Sequence, residues 1–205
     1  MHNLWERHAV PYLVRLACGA SSIERQRVKV IPPIAGRVLE IGIGSGLNLP
    51  HYAPERVTEV VGVDPSPALL RDAAAVAAKL SLPVRLELGS AERLPVEDAS
   101  VDAVVVTYAL CSVPDLDRAL AEVRRVLRPE GALHFCEHGL APDANVRRWQ
   151  ARIEPVWMRI GGGCHLTRPI PALLEAAGYS IVALDTMYLP GLRILNWNTW
   201  GVARP

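Results

Sequence analysis

The fold of this chain is decided by the stretch Val38-Leu39-Glu40-Ile41-Gly42-Ile43-Gly44-Ser45-Gly46. Its apolar beginning predicts a short buried strand, and the glycines predict a turn that opens a helix. Glycine tolerates positive φ and allows a ligand to approach the backbone closely. Further along, the apolar run 60–63 ends at Asp64, whose carboxylate can accept hydrogen bonds from both hydroxyls of a ribose. These features together predict a site for a nucleoside-containing cofactor.

The composition is that of a globular domain. The chain has 205 residues, of which 50% are hydrophobic and 21% are charged, so it can bury a core without disulfides or metals. A formal net charge of +1 lacks the basic excess of nucleic-acid binders, so no nucleic-acid partner is predicted. Four widely spaced cysteines indicate reduced thiols and a cytoplasmic protein. The apolar stretch 9–20 is too short to span a bilayer, and no signal peptide is predicted.

Strands and helices alternate along the chain, which predicts an α/β fold with a parallel sheet covered on both faces. The predicted strands cover residues 37–41, 60–63, 84–88, 101–106, 132–136, 179–185 and 197–203. Two helices are predicted over 67–80 and 116–127. Ser66 is the predicted N-cap of the first of them, and Pro67 suits its first helical position.

The spacing of the glycines separates two classes of cofactor. The dinucleotide pattern Gly-x-Gly-x-x-Gly requires a third glycine at the position of Leu47, and this chain has Gly-x-Gly-x-Gly instead. Glu40 lies two residues before the first glycine, where its charge would repel a pyrophosphate. It suits a positively charged cofactor such as S-adenosylmethionine. A dinucleotide site and a structural turn without a ligand are the alternatives.

Several motifs, in order, resemble those of the class I S-adenosylmethionine-dependent methyltransferases over roughly residues 34–205. Besides the glycine loop, they are Val63-Asp64-Pro65-Ser66-Pro67, Gly89-Ser90-Ala91-Glu92-Arg93-Leu94-Pro95, Ser100-Val101-Asp102 and Val126-Leu127-Arg128-Pro129-Glu130-Gly131-Ala132-Leu133. The resemblance implies a Rossmann-like, doubly wound sheet of seven strands, mostly parallel with an antiparallel last strand. It also implies that S-adenosylmethionine is the cofactor. The residues that it places around the cofactor are Glu40, Gly42, Gly44, Gly46, Asn48, Asp64, Pro65, Ser66, Ser90, Ala91, Glu92 and Thr107.

The same resemblance assigns these residues to different ends of the cofactor. Glu40 and the glycine backbone would hold the methionine end, and Asp64 would hold the ribose hydroxyls. Residues 90–92 would border the adenine, and Thr107 would lie near the methyl group. Many relatives carry aspartate at the position of Ser90, so a weaker contact to the adenine amino group is expected here.

The chain is expected to form a single domain with four parts. These are an N-terminal helical cap over 1–33, a cofactor-binding core over 34–140, a lid-like insertion over 141–167 and the end of the sheet over 168–205. Residues 146–160 carry an amphipathic helical pattern that Pro155 should kink or break. Its apolar stripe predicts packing on the core. The alternative is an interfacial lid that makes peripheral contact with a membrane and admits lipophilic substrates.

Three further stretches indicate a narrower group within the methyltransferases. Leu110-Cys111-Ser112-Val113, Glu137-His138 and Gly163-Cys164-His165-Leu166-Thr167-Arg168 occur in an order that resembles the methyltransferase-like 7 group of alkyl-thiol methyltransferases. It is also similar to bacterial phospholipid and quinone methyltransferases. A small lipophilic acceptor follows from this resemblance: a thiol, a phenol or quinone, or a lipid amine. A nucleic-acid or protein methyltransferase and a non-catalytic binding module are the alternatives.

Histidines and cysteines supply the candidate chemistry at the acceptor. His138 and His165 are the candidate bases, and a structural role is the alternative for each. Cys111 is expected to be a small buried residue. Cys164 and His165 are adjacent, but no second ligand pair accompanies them, so the sequence predicts no metal site.

Overall fold

The computed structural model describes Tyr12, Arg15 and residues 18–205. Its helices there are α1 (Ser21–Val30), α2 (Pro67–Ala77), α3 (Leu116–Val126), α4 (Ala144–Ile160) and α5 (Ile170–Ala176), with a 3₁₀ turn at Leu49–His51. Its strands are β1 (Gly36–Ile41), β2 (Val57–Asp64), β3 (Val84–Leu88), β4 (Val101–Thr107), β5 (Leu127–His138), β6 (Ser180–Tyr188) and β7 (Trp197–Arg204). Part of the predicted N-terminal cap lies outside the described residues, and α1 lies within its described part.

The seven strands form one sheet in the order β3-β2-β1-β4-β5-β7-β6. The first five strands pair in parallel, whereas β7 is antiparallel to both β5 and β6. This confirms the predicted Rossmann-like sheet with its antiparallel last strand. The strand order reverses between β1 and β4, and ligands of such sheets bind at the carboxyl ends of the strands beside this switch point.

Strand β4 shows why this sequence forms a central strand. Its valines are buried almost without interruption, because helices cover both faces of a parallel sheet. Successive residues point to opposite faces, so Val104 and Val106 join one hydrophobic cluster while Ala103 and Val105 join the other. The strand therefore fixes the position of Thr107, its last residue, between the two cores.

Two predicted helix ends differ from the structure. Helix α2 begins as predicted, with the Ser66 hydroxyl accepting a hydrogen bond from Leu69 N–H, but it ends at Ala77. Helix α3 ends at Val126, and Leu127 is already extended as the first residue of β5. Pro129 disfavours a helical conformation for the residue before it, so the chain leaves the helix ahead of the predicted turn.

Helix α4 differs from two expectations about the insertion 141–167, namely a break at Pro155 and full packing of its apolar stripe. It runs unbroken through Pro155. Its predicted apolar stripe does not pack fully on the core, since Trp149 is 55% exposed, Val156 is 61% exposed and Ile160 is also exposed. Exposed apolar side chains are what an interfacial lid requires, and that alternative stays a prediction. Among the helices of the described part of the chain, none has both the length and the apolar composition needed to cross a bilayer.

A polar residue anchors α4 instead. Gln150 is the buried residue of this helix. Its side-chain oxygen accepts the N–H of Ala141 at 3.0 Å, and its amide nitrogen donates to the carbonyl of Gly139 at 3.0 Å. The helix is thereby tied to the chain that leaves β5.

Candidate functional site

The glycine loop lies at the carboxyl end of β1. Gly42, Gly44 and Gly46 have φ of 68°, 56° and 78°, in the region that favours glycine. A Cβ on Gly42 would lie 2.5 Å from the Cβ of Ala109, whereas a Cβ on Gly44 would meet nothing closer than the Gly42 carbonyl oxygen at 3.9 Å. Gly42 therefore allows close packing, and Gly44 leaves open backbone that a ligand can approach.

Asp64 ties this loop to the end of β2. Its carboxylate accepts the N–H of Gly44 at 2.9 Å and the N–H of Ser66 at 2.8 Å. Burial raises the pKa of Asp64, and these two backbone donors oppose the shift. Each carboxylate oxygen has a second lone pair, so the side chain can still accept hydrogen bonds from a ligand.

Glu40 lies buried at the end of β1. Its carboxylate accepts hydrogen bonds from the side-chain amide of Asn48 at 3.0 Å and from the hydroxyl of Tyr52 at 2.6 Å. Burial is the largest influence on this group and raises the pKa of Glu40 to about 7. The structure thus places Glu40 beside the loop, as predicted, with both oxygens held by neighbouring side chains.

Arg27 extends this network from α1 across to β4. Its guanidinium donates to Asn48 Oδ1 at 2.6 Å and to Thr107 Oγ1 at 3.2 Å. The amide of Asn48 also donates to Thr107 Oγ1, at 3.0 Å. Sequence reasoning missed Arg27 and Tyr52, because both reach the site through tertiary packing and belong to no local motif.

The predicted adenine-side segment follows β3. Its turn is joined to the rest of the site by a hydrogen bond from Gly89 N–H to the Asp64 carbonyl at 3.2 Å. Ala91 is buried, and the Glu92 carboxylate accepts the N–H of Asp115 at 3.3 Å. Ser90 and Pro65 are exposed at the same edge of the sheet.

Glu137, which sequence reasoning did not single out alone, organises the loop after β4. Its carboxylate is fully buried. It accepts the backbone N–H groups of Ala109, Leu110 and Cys111 at 2.8, 3.0 and 3.4 Å. Burial raises the pKa of Glu137, and these donors oppose the shift. The loop begins at Tyr108, whose φ of 55° is unusual for a residue with a side chain.

A cluster of two cysteines and a histidine lies next to this loop. Cys164 Sγ is 2.9 Å from His138 Nε2, and the indole N–H of Trp157 donates to the same sulfur at 3.3 Å. The ligand atoms of Cys111, His138 and Cys164 all lie within 4.8 Å of one another. Cys111 is buried, as predicted.

The two candidate bases occupy different surroundings. Burial acts to lower the pKa of His138, but its contact with Cys164 and the charge of Glu137 outweigh burial and raise it. His165 Nδ1 instead lies 3.3 Å from the Glu154 carboxylate, in a partly exposed pair. The structure therefore brings His138 to the cysteine cluster and places the His165 ring elsewhere.

The chain is similar to known methyltransferases in sequence and in structure. The family profile described as a methyltransferase domain matches residues 39–135. Thiol S-methyltransferase TMT1B of Homo sapiens is 36% identical over 177 residues, which cover 83% of this chain and 70% of that protein. Its counterpart in Rattus norvegicus is 38% identical over 152 residues, which cover 72% of this chain and 62% of that protein. The chain thus spans slightly less than two thirds of the rat protein.

A solved structure of a SAM-dependent methyltransferase from Leishmania major superposes with a TM-score of 0.71 at 14% identity, covering 98% of this chain and 80% of that one. Fold and glycine loop together define a nucleoside-binding α/β protein of the methyltransferase class. More particularly, the chain belongs to the S-adenosylmethionine-dependent methyltransferase family, and its cofactor is S-adenosylmethionine. The residues present fit this cofactor, because Gly44 leaves open backbone and Asp64 retains acceptor capacity.

Proposed function

We propose that this chain transfers the methyl group of S-adenosylmethionine to the sulfur of a small lipophilic thiol. The observation that carries this proposal is the extent of the similarity to a thiol S-methyltransferase. It covers 177 residues and so reaches well beyond the matched methyltransferase domain into the segments around the acceptor. When bound, S-adenosylmethionine supplies a methyl carbon whose bond to a sulfonium sulfur breaks as the acceptor's lone pair forms the new bond.

The residues of the chain then act mainly by aligning the two reactants. Asp64 accepts the ribose hydroxyls, and the segment 90–92 borders the adenine. Glu40 and the guanidinium of Arg27 give the methionine end one charge of each sign, suited to an ammonium and a carboxylate. Thr107 lies between this network and the acceptor loop, near the methyl group. The contacts of Asp64, Asn48 and Thr107 described above support these roles.

A thiol suits the acceptor side better than an amine or a phenol. A free thiol has a pKa of about 8.5, so it needs only modest help to ionise. His138 lies at the end of β5, beside the strand end that carries Thr107, whereas the ring of His165 is engaged by Glu154. We therefore propose that the acceptor loses its proton at the site around His138.

A methyl-transfer assay with labelled cofactor over matched alkyl thiols, phenols and amines tests this proposal. Thiols should be the methylated class, and His138→Gln should lower the rate about 100-fold or more, the usual contribution of proton-transfer groups. His165→Gln is the matched control and should retain most of the activity. Methylation of phenols, amines, protein or tRNA alone would refute the thiol assignment, and binding of the cofactor without any transfer would favour a non-catalytic module.

Glu40 should couple cofactor binding to pH. Burial raises the pKa of Glu40 to about 7, so near that pH a fraction of the protein molecules carries a proton on this carboxyl group. A cation bound nearby favours the carboxylate and lowers this pKa, so binding should release a proton. The raised pKa also means that cofactor affinity should fall as pH decreases through about 7, because protonation removes the negative charge.

Titration calorimetry in buffers with different ionisation enthalpies measures this release. The release should be largest near pH 7, and Glu40→Gln should abolish the part that belongs to Glu40. The amino group of the free cofactor is the same in both titrations, so the difference in proton release between the two proteins reports on Glu40 and the group that it contacts. Equal proton release by the two proteins would remove Glu40 from the methionine end.

A further inference from the structure

The cluster of Cys111, His138 and Cys164 has the donor set of a site for a soft metal ion. The three ligand atoms lie within 4.8 Å of one another, and Cys164 Sγ lies 2.9 Å from His138 Nε2. Zinc binds cysteine sulfur at about 2.3 Å and histidine nitrogen at about 2.0–2.1 Å. In a tetrahedral site these lengths separate two sulfurs by about 3.8 Å and a sulfur from a nitrogen by about 3.6 Å. Small side-chain rotations that move Cys164 Sγ and His138 Nε2 apart, from 2.9 Å to about 3.6 Å, would make room for an ion.

The three ligands come from segments that the fold already holds together. Glu137 fixes the backbone of Cys111, as described above, and the next residue after Glu137 is His138. The N–H of His165, next to Cys164, donates to the carbonyl of Cys111 at 2.9 Å. A site that is organised before its ion arrives needs little rearrangement to bind it.

Charge and surroundings also suit zinc. Cys111 and Cys164 are buried, and two thiolates with a neutral imidazole would balance a divalent ion, so the site would bury no net charge before the acceptor binds. The indole N–H of Trp157 points at Cys164 Sγ, at 3.3 Å. A donor in this position orients a sulfur ligand and stabilises it as the thiolate.

The arrangement also removes the reason for which the sequence predicted no metal. That expectation rested on Cys164 and His165, which are neighbours in sequence and make a poor ligand pair. The structure instead joins Cys164 to His138 and Cys111, which lie far from it along the chain. Ligand spacing in the sequence therefore says nothing about this site.

We propose that Cys111, His138 and Cys164 bind a zinc ion through three protein ligands, and that the open fourth position takes the sulfur of the acceptor thiol. The part that concerns the acceptor rests on the proposed function. Catalytic zinc sites keep such an open position, and zinc favours thiolate ligands. The acceptor loses its S–H proton to water as the zinc–sulfur bond forms, so no oxidant or reductant is needed. His138 then promotes ionisation through the ion instead of acting as a free base.

The metal content of the full chain tests whether the cluster binds zinc. After incubation with zinc and removal of the excess, elemental analysis should find about one zinc per chain. The variants Cys111→Ser, Cys164→Ser and His138→Ala should each lose most of it. Cys136→Ser, a buried cysteine outside the cluster, and His165→Gln are matched controls that should keep it. Equal zinc content in all variants would overturn the site.

Cobalt substitution gives a readout that needs no variant. The parent chain loaded with cobalt should show thiolate-to-metal charge transfer in the near ultraviolet and the intense visible bands of a tetrahedral ion. Absence of the charge-transfer band would show that the cysteines do not bind the ion and would overturn the site, whether or not the variants fold.

Addition of a small alkyl thiol tests the open position. The visible bands of the cobalt protein should shift with the thiol and stay unchanged with the corresponding alcohol. An unchanged spectrum with both would indicate that the fourth position is closed and would overturn thiol binding. Methyl transfer to thiols that persists after verified metal removal would overturn the role of zinc and leave the proposed function intact. A loaded protein that methylates no thiol would refute the proposed function alone.

Discussion

Glu137→Ala is expected to lower the free energy of unfolding by about 3 kcal/mol or more. The buried carboxylate accepts three backbone N–H groups, those of Ala109, Leu110 and Cys111. Alanine leaves these donors without an acceptor, and each buried donor left unpaired costs about 1–3 kcal/mol. Urea denaturation followed by circular dichroism measures the loss as a lower midpoint.

Two variants give this measurement its controls. Glu137→Gln keeps one side-chain oxygen for the donors and should show a smaller loss than the alanine variant. Glu130→Ala removes an exposed carboxylate from the same strand and should leave the midpoint almost unchanged. If the denaturation midpoint of Glu137→Ala equalled that of Glu130→Ala, Glu137 would not be the group that holds the loop after β4.

Asp64→Ala should weaken binding of S-adenosylmethionine by about 1–3 kcal/mol, which corresponds to roughly 5- to 150-fold in the dissociation constant. The carboxylate both positions Gly44, through the hydrogen bond at 2.9 Å, and is assigned the ribose hydroxyls. Its loss therefore removes a direct contact and loosens the loop. Titration calorimetry with the cofactor measures the change.

Asp185→Ala is the matched control, since Asp185 is an exposed aspartate on β6, away from the loop. Its affinity should equal that of the parent chain. Asp64→Asn keeps one oxygen acceptor, so its affinity for the cofactor should lie between those of Asp64→Ala and the parent chain. Parent-like affinity in Asp64→Ala would exclude Asp64 from the cofactor site.

The cofactor side of the site could be predicted because its residues end strands. Gly42, Asp64 and Thr107 each follow a run of buried apolar residues. The carboxyl ends of parallel strands meet at one edge of a sheet, so their proximity follows from the strand pattern and the strand order. The motifs of the family supplied that order, and the structure agrees with it.

The remaining features depend on packing between distant segments. Arg27 reaches Asn48 only when α1 lies across the strand ends, and no periodicity marks it. Cys111 and Cys164 meet because the loop after α4 returns to β4. Helix α4 shows that a clear pattern can also mislead. Its apolar stripe predicted burial, but the buried side chain that anchors the helix is the amide of Gln150. A local sequence pattern indicates which residues are able to pack in a core. It does not indicate which of them make contact in the folded chain.

The position of β7 has a consequence for how the chain folds. Strand β7 lies between β5 and β6, so β6 cannot join the sheet before β7 has been inserted. Pairing such as that of Phe135 with Gly201 joins segments far apart in sequence, and contacts of this kind form slowly. Until they form, β5 presents an unpaired edge to other chains. Aggregation during refolding should therefore start at β5, and conditions that delay the docking of β7 should increase it.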